Sequence, residues 1–207
     1  MRYTSPGNLL SFGLETADPA VTEANNLNID ADGCLEAIRM VNSIGRGRGE
    51  NGMPRLLPGL NFVAGLTGET AKTFDLNLAF LKRLLEEDLL VRRINIRQVR
   101  PVRQEFKPTG LYREFRRFKE LVRPTIDHEI LRRILPEGTV LRDVYLEIRN
   151  GHVTYGRQIG TYPILVGLPY DLDVNRFVDV KITSHGQRSV TAVRVPPGCE
   201  SRLVEGP

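Results

Sequence analysis

Few residues in this 207-residue chain have types and spacing suited to chemistry. The turn Gly65-Leu66-Thr67-Gly68-Glu69-Thr70 could cradle a phosphate at a helix N-terminus, where unpaired N–H groups and the helix dipole favour an anion. It lacks the lysine and spacing of a Walker A loop, which sets an NTPase aside, and a plain strand-to-helix connection explains it as well. His128, His152 and His185 lie far apart without partners at ligand spacing, so a zinc site has no support. The two cysteines, Cys34 and Cys199, can build neither a disulfide framework nor the thiolate set of an iron–sulfur cluster. Cys34 reads as a small core residue and Cys199, in a Pro-Pro-Gly tail, as exposed and incidental. No serine occupies a G-x-S-x-G elbow, which leaves hydrolase chemistry without a nucleophile. No catalytic residue and no metal ligand is nominated.

Composition and charge narrow the classes further. Hydrophobic residues make up 41% and charged residues 26% of the chain, the balance of a globular protein rather than a disordered or collagenous one. No run approaches the ~18 apolar residues that span a bilayer. Met1 to Gly7 shows no secretory signal. With so few cysteines, a reducing cytoplasm is the expected setting. The formal net charge is +4, yet residues 92–133 alone hold 13 basic and 5 acidic side chains. Arginine outnumbers lysine 24 to 5. Such a segment is read either as a solvated basic helix or as a contact for nucleic acid, since arginine forks suit phosphates and stack on bases.

The elements that position these residues begin with an apolar run, Leu9 to Leu14, ending at Glu15 and typical of a buried strand. Asp18-Pro19 opens a helix with proline in its first turn, and a second helical stretch from about Asp32 to Ser43 places Leu35, Ile38 and Val41 on one face. Gly45 to Gly52 is a glycine-rich loop, read either as an RNA-contacting tract or as a mobile crossover. Leu60 to Gly65 predicts the next strand. The following helix carries Glu69 in its first turn and a stripe of Phe74, Leu78, Leu81 and Leu85. Arg92 to Val99 alternates and predicts a third strand. Strands joined by helical crossovers form a parallel sheet, and ligands bind beyond the carboxyl ends of such strands. Those ends are Glu15, the Gly65–Glu69 turn and Gln98-Val99.

Gly59 to Thr70 resembles the fifth strand and following turn of radical SAM enzymes, an apolar strand leading into G-[F/L]-P-G-E-T, with Thr67 where proline is commoner. Ser11 to Asp18 is similar to their fourth strand, and Arg92 to Val99 falls in place for the sixth. The resemblance covers about residues 8–100. It implies an α/β fold, a partial (β/α) barrel of the radical SAM type, with part of an S-adenosylmethionine surface. It nominates Glu15, Thr16, Asn61, Val63 and Gly65 as cofactor-binding, with Gln98 and Val99 at the sixth strand. For Glu15 the alternative is a carboxylate capping Arg97 or a neighbouring helix. The family's C-x-x-x-C-x-x-C motif is missing, so a [4Fe–4S] cluster would belong to the complete enzyme and not be ligated by this chain. A half-barrel leaves an open apolar edge, which implies an N-terminal cluster-bearing half on the same gene product or a separate chain, or self-association.

Residues 110–135 place Tyr112, Phe115, Phe118, Leu121 and Val122 at helical spacing among arginines and a lysine, for packing or for base stacking, and Pro124 is expected to break the run. From Thr139 the period shifts to two. Val140, Arg142, Val144, Leu146 and Ile148 form or flank one strand, Asn150-Gly151 signals a hairpin, and four more short strands follow. Five short strands predict a small antiparallel β-barrel of the oligonucleotide-binding type. Gly156-Arg157, Tyr162 to Val166 and Phe177 to Thr183 resemble the TRAM domain, an RNA-binding module of tRNA methylthiotransferases. On that resemblance Arg157, Lys181 and Arg188 are candidate phosphate contacts and Tyr155 or Tyr162 a stacking surface, against a plain reading as surface charge and packing.

The expected organisation is residues 1–105 as a radical SAM half-barrel, 106–137 as a basic helical connector, 138–198 as a TRAM-like barrel and 199–207 as a tail. The expected function is that of the C-terminal portion of a radical SAM iron–sulfur oxidoreductase contacting RNA, inactive without its cluster-bearing half. In the complete enzyme, the family chemistry is reductive cleavage of S-adenosylmethionine to a radical that abstracts a substrate hydrogen. The alternative is a non-catalytic nucleic-acid-binding protein or partner subunit. No membrane partner is expected.

Overall fold

The computed structural model describes residues 4–99 and 110–196. The boundary drawn at 105–106, Cys199 and the tail 199–207 lie outside the described residues. The first strand, β1 (Asn8–Glu15), leads through α1 (Pro19–Ala24) and α2 (Ala31–Gly45) to β2 (Leu56–Ala64), then through α3 (Ala71–Glu86) to β3 (Arg93–Gln98). Asp18 and Asp30 cap α1 and α2, each accepting a backbone N–H with its carboxylate. The three strands are parallel, in the order β1-β2-β3. Phe12, Leu60 and Ile94 face one side in register, as do Phe62 and Ile96. Helices cover that side. Phe118 of α4 (Tyr112–Val122) meets Phe62 and Phe74 with ring centroids 5.8 and 6.0 Å apart.

The opposite side carries Leu9, Leu57 and Val63 as well as Ser11, Gly59, Asn61, Asn95, Arg93 and Arg97, with Leu57 buried. The strand topology overturns the expected partial (β/α) barrel of the radical SAM type. The described residues form an open three-stranded parallel sheet plus a separate closed five-stranded barrel, instead of a run of strands and helices curling toward closure.

The helical connector also departs from expectation. Pro124 does not break the helix. A π-helical turn over Arg123–Asp127 carries the chain into α5 (His128–Ile134), with the His128 N–H donating to the Arg123 carbonyl. The wider turn absorbs the hydrogen bond that proline cannot donate. Phe115, Phe118 and Val122 are buried, so these aromatics pack; Tyr112 and Leu121 remain exposed.

The barrel comprises β4 (Val140–Asn150), β5 (Val153–Gln158), β6 (Leu165–Leu168), β7 (Phe177–His185) and β8 (Ser189–Arg194), closed in the order β4-β5-β6-β8-β7. It is not wholly antiparallel, since β6 and β8 run parallel. The alternation expected along β4 slips. Asp143 has φ 55°, the pairing with β7 shifts between Leu141 and Val144, and Leu141, Val144 and Leu146 are the inward residues.

The glycine-rich loop is not a free crossover: it is the joint between sheet and barrel. The Asn51 carbonyl accepts from the Arg142 N–H at 3.1 Å and from Gln158 Nε2 at 2.7 Å. Arg48 Nη2 donates to the Ile134 carbonyl at 2.8 Å. Gly52 has φ +85°, and a Cβ there would lie 2.0 Å from the Val140 carbonyl oxygen. No other residue type permits that approach. Gly52→Ala therefore strains the backbone and pushes the units apart, with an expected loss of at least about 2 kcal/mol in urea unfolding. Gly47→Ala, which meets nothing within 4 Å, is the control and is expected to stay within about 0.5 kcal/mol of the parent.

Candidate functional site

Three adjacent strand ends form a shelf at the carboxyl edge of the sheet. Asn61 pairs with Asn95 and Ala64 with Gln98, while the Val99 N–H donates to the Ala64 carbonyl at 2.9 Å. Across the polar face, Arg93 Nε donates to Asn95 Oδ1 at 2.7 Å and Asn95 Nδ2 to Asn61 Oδ1 at 2.9 Å. Glu15 closes β1 with φ 60°, a left-handed conformation that a glutamate adopts only under constraint from its surroundings. Its side chain folds back over Gly13, where an added Cβ would sit 2.8 Å from Oε1.

Two carboxylates at this edge are unusual. Among the described residues, Glu15 Oε2 and Glu69 Oε1 are buried with no hydrogen-bond partner. Arg97, considered above as a partner for Glu15, does not reach that oxygen. Burial raises the Glu15 carboxyl above the ordinary range. Burial likewise raises Glu69, opposed by the Gly65 N–H, which donates to Oε2 at 2.7 Å. Unpartnered buried carboxylate oxygens are costly, and a ligand carrying hydroxyl or cationic donors would satisfy them.

Of the residues nominated at the strand ends, the shelf gathers Glu15, Asn61, Val63, Gln98 and Val99. Thr16 is spent on structure: fully buried, its hydroxyl bonds Asn77 Oδ1 at 3.2 Å and accepts the Asp18 N–H at 3.1 Å. The Gly65 N–H is committed to Glu69. Glu69 was assigned to the first turn of the helix for its dipole. It instead precedes the cap residue Thr70 and turns back toward the strand. An acidic residue closing a G-x-x-G turn was the available signal.

A second concavity lies where the sheet meets the barrel. A cleft of about 320 Å³ is lined by Arg92, Arg93, Asp127, Arg157, Tyr162 and Arg188 among others. The Arg93 guanidinium lies 3.9 Å from the centroid of the Tyr162 ring, a cation–π contact. Arg92 donates to the Tyr162 carbonyl, and its Nε is buried with no partner among the described residues. Burial, then the neighbouring Arg93 charge, lowers the Arg92 pKa. Arg157 pairs with Glu147. Lys181 is exposed on β7 and does not line this cleft, so the structure brings together Arg157 and Arg188 but not Lys181. Tyr155 lies against Gly167 of β6. Arg92, Arg93 and Asp127 were not nominated; a strand start and a proline-marked turn gave no sign that the fold would aim them at the barrel.

Cys34 is fully buried in α2 and its thiol is pushed up to about 11 by burial. Among the described residues no group of three or more histidine, cysteine or carboxylate side chains is gathered for a metal ion. No helix among them is long and apolar enough to cross a membrane.

The chain matches no protein-family model. It is 42% identical over 200 residues to the uncharacterized protein MJ0274 of Methanocaldococcus jannaschii and 44% identical over 198 residues to an uncharacterized protein of Archaeoglobus fulgidus. Each alignment takes in 92% of this chain, and the chain spans 37% of each relative's length.

Asp127 supplies a test of the cleft's electrostatics. Burial pushes its carboxyl up to about 6, against the opposing charges of Arg188 and Arg123. A raised carboxyl pKa means the folded state holds the proton more tightly than the unfolded chain, so stability falls as pH rises from about 4 through about 6. Asp127→Asn is expected to stabilise the protein at pH 7.5 by on the order of 1–2 kcal/mol, with the difference vanishing near pH 4, in thermal unfolding followed across that range.

Proposed function

We propose that this chain is part of a radical SAM iron–sulfur oxidoreductase that acts on RNA, binding S-adenosylmethionine at the strand-end shelf and contacting RNA through the barrel and its junction with the sheet. The observation that carries the reading is the pair of buried carboxylate oxygens without partners among the described residues, Glu15 Oε2 at the end of β1 and Glu69 Oε1 in the turn after β2. S-adenosylmethionine offers an ammonium, a sulfonium and a ribose diol, the cations and hydroxyl donors that such oxygens need. Glu15 would take donors from the cofactor, Gly13 leaves room for that carboxylate, and Asn61 and Gln98 would orient polar edges.

A [4Fe–4S] cluster fits less well. It needs several thiolates, whereas Cys34 is buried in a helix core with its thiol held protonated. The cluster would be ligated by sequence outside this chain, on the same gene product or a separate one. The relatives, which are much longer than this chain, leave length for it. When bound, these groups supply the reductive cleavage of S-adenosylmethionine; this chain would hold the cofactor and shield it from water. A cytoplasmic setting accords with the sparse cysteines.

A second reading, a nucleic-acid-binding protein or partner subunit without cofactor, is favoured by the arginine cleft, which needs no cofactor to act.

Titration calorimetry with S-adenosylmethionine separates them. The cofactor reading predicts weak binding by the folded chain, reduced about tenfold or more in Glu15→Gln and in Gly13→Ala, and weakening as pH is lowered toward the raised Glu15 pKa. A folded chain that gives no binding heat, or binding indifferent to both substitutions, contradicts it and leaves the second reading.

A further inference from the structure

The cleft at the junction has a charge balance that neither unit would show alone. Arg92 and Arg93 open the third strand, Arg157 lies at the end of β5, and Arg188 sits in the loop between β7 and β8. Among the described residues Arg92, Arg93 and Arg188 have no carboxylate oxygen within 4 Å; Arg157 has Glu147. An adjoining hollow of about 180 Å³ shares Arg93, Asp127 and Arg188 and adds Arg97, Lys119 and Arg123. The single acid that lines the two is Asp127. Like charges at this density repel, and bound anions relieve the repulsion.

The side chains are also preset. Arg93 is held by Asn95 and by the Tyr162 ring, and Arg92 is clamped to the Tyr162 carbonyl with its Nε idle. Fixed guanidinium forks of this kind bind tetrahedral oxyanions through paired N–H groups. Tyr162, about half exposed at 48%, supplies an aromatic surface beside them, and two adjoining hollows suit successive phosphates better than one isolated anion.

We propose that this junction cleft is a phosphate-binding site that seats the backbone of single-stranded RNA, with Arg92, Arg93 and Arg188 as its cradle and Tyr162 as a stacking surface. The proposal rests on the RNA-contacting reading above and places the contact between the two units rather than on the outer barrel face that carries Lys181. The shared chemistry, a phosphate oxyanion, could also come from free phosphate or a mononucleotide. Asp127 faces Arg188 and Arg123 and limits the attraction, so Asp127→Asn tightens binding.

The test is fluorescence anisotropy of a labelled single-stranded RNA against the full chain at several salt concentrations, with inorganic phosphate and a mononucleotide titrated in parallel by NMR. Arg93→Gln with Arg188→Ala is expected to weaken RNA binding at least tenfold and to flatten the salt dependence by about 1.4 units of slope, since each of the two lost phosphate contacts removes about 0.7. Lys181→Ala is expected to change binding less than twofold, and Asp127→Asn to tighten it. Circular dichroism confirms that the variants fold; Arg188→Ala alone, which loses no hydrogen bond among the described residues, keeps the test valid should the double variant unfold. RNA binding that survives the arginine changes but falls in Lys181→Ala overturns the site and spares the RNA reading. Phosphate or mononucleotide binding that depends on the arginines, without RNA binding, overturns the RNA reading and leaves a free-anion site. Binding of none of them overturns both.

Discussion

The approach of Gly52 to the Val140 carbonyl is the constraint on which the arrangement depends. It lets the loop after α2 lie flat on the first barrel strand, where the Asn51 carbonyl collects hydrogen bonds from Arg142 and Gln158. With that contact made, the start of β3 comes to rest against the loop before β6, and Arg92 and Arg93 meet Tyr162. Asn42 fixes the approach to β3 from the other side: its amide donates to the Leu90 carbonyl and accepts the Leu90 N–H. The two units thus share one cleft, and its geometry is set by the Gly52 approach and by hydrogen bonds that side chains of both units make to backbone carbonyls.

The sheet and the cleft express one economy of polarity. A sheet covered by helices on one side only can afford asparagine, arginine and glycine on the other. That freedom places Arg93, Asn95 and Asn61 in a hydrogen-bonded row leading toward the shelf. Glu15 at the end of β1 and Glu69 in the turn after β2 hold oxygens that water does not reach. Buried unpartnered charge destabilises a fold unless something later pairs with it. The proposed cofactor at the shelf and the proposed phosphates in the cleft would each relieve an imbalance present in the free protein, negative at one place and positive at the other.

Local elements were legible in the sequence, and their assembly was not. The Asn150-Gly151 turn, the helix opening at Asp18-Pro19 and the apolar stripe of α3 all announced themselves through short-range chemistry; the cap at Asp30 did not. A parallel strand–helix repeat, however, looks the same in an open sheet and in a segment of a barrel. What separates them is whether the strands close on themselves, which depends on partners beyond each local repeat. The alternation of Arg93, Asn95 and Arg97 marks one side of β3 as polar, but on β2 Asn61 shares its side with Leu57 and Val63, so the pattern carries no sign of whether the sheet closes. Gly45 to Gly52 read as loose because glycine permits both freedom and close contact; only the partner surface tells which. Asp143 and the π-turn after Val122 shift a register by a residue, a change that periodicity alone smooths over. The cleft was least legible of all, because its arginines are distant in sequence and meet only once the joint has formed.

Photochemical cross-linking of the unmodified chain to a 4-thiouridine-containing RNA, with the linked peptides mapped by mass spectrometry, tests most directly whether the two units bind as one surface. The account predicts cross-links in both the peptide containing Arg92 and Arg93 and those containing Tyr162 or Arg188. Cross-links confined to the outer face of the barrel around Lys181, with none on the sheet, would contradict it.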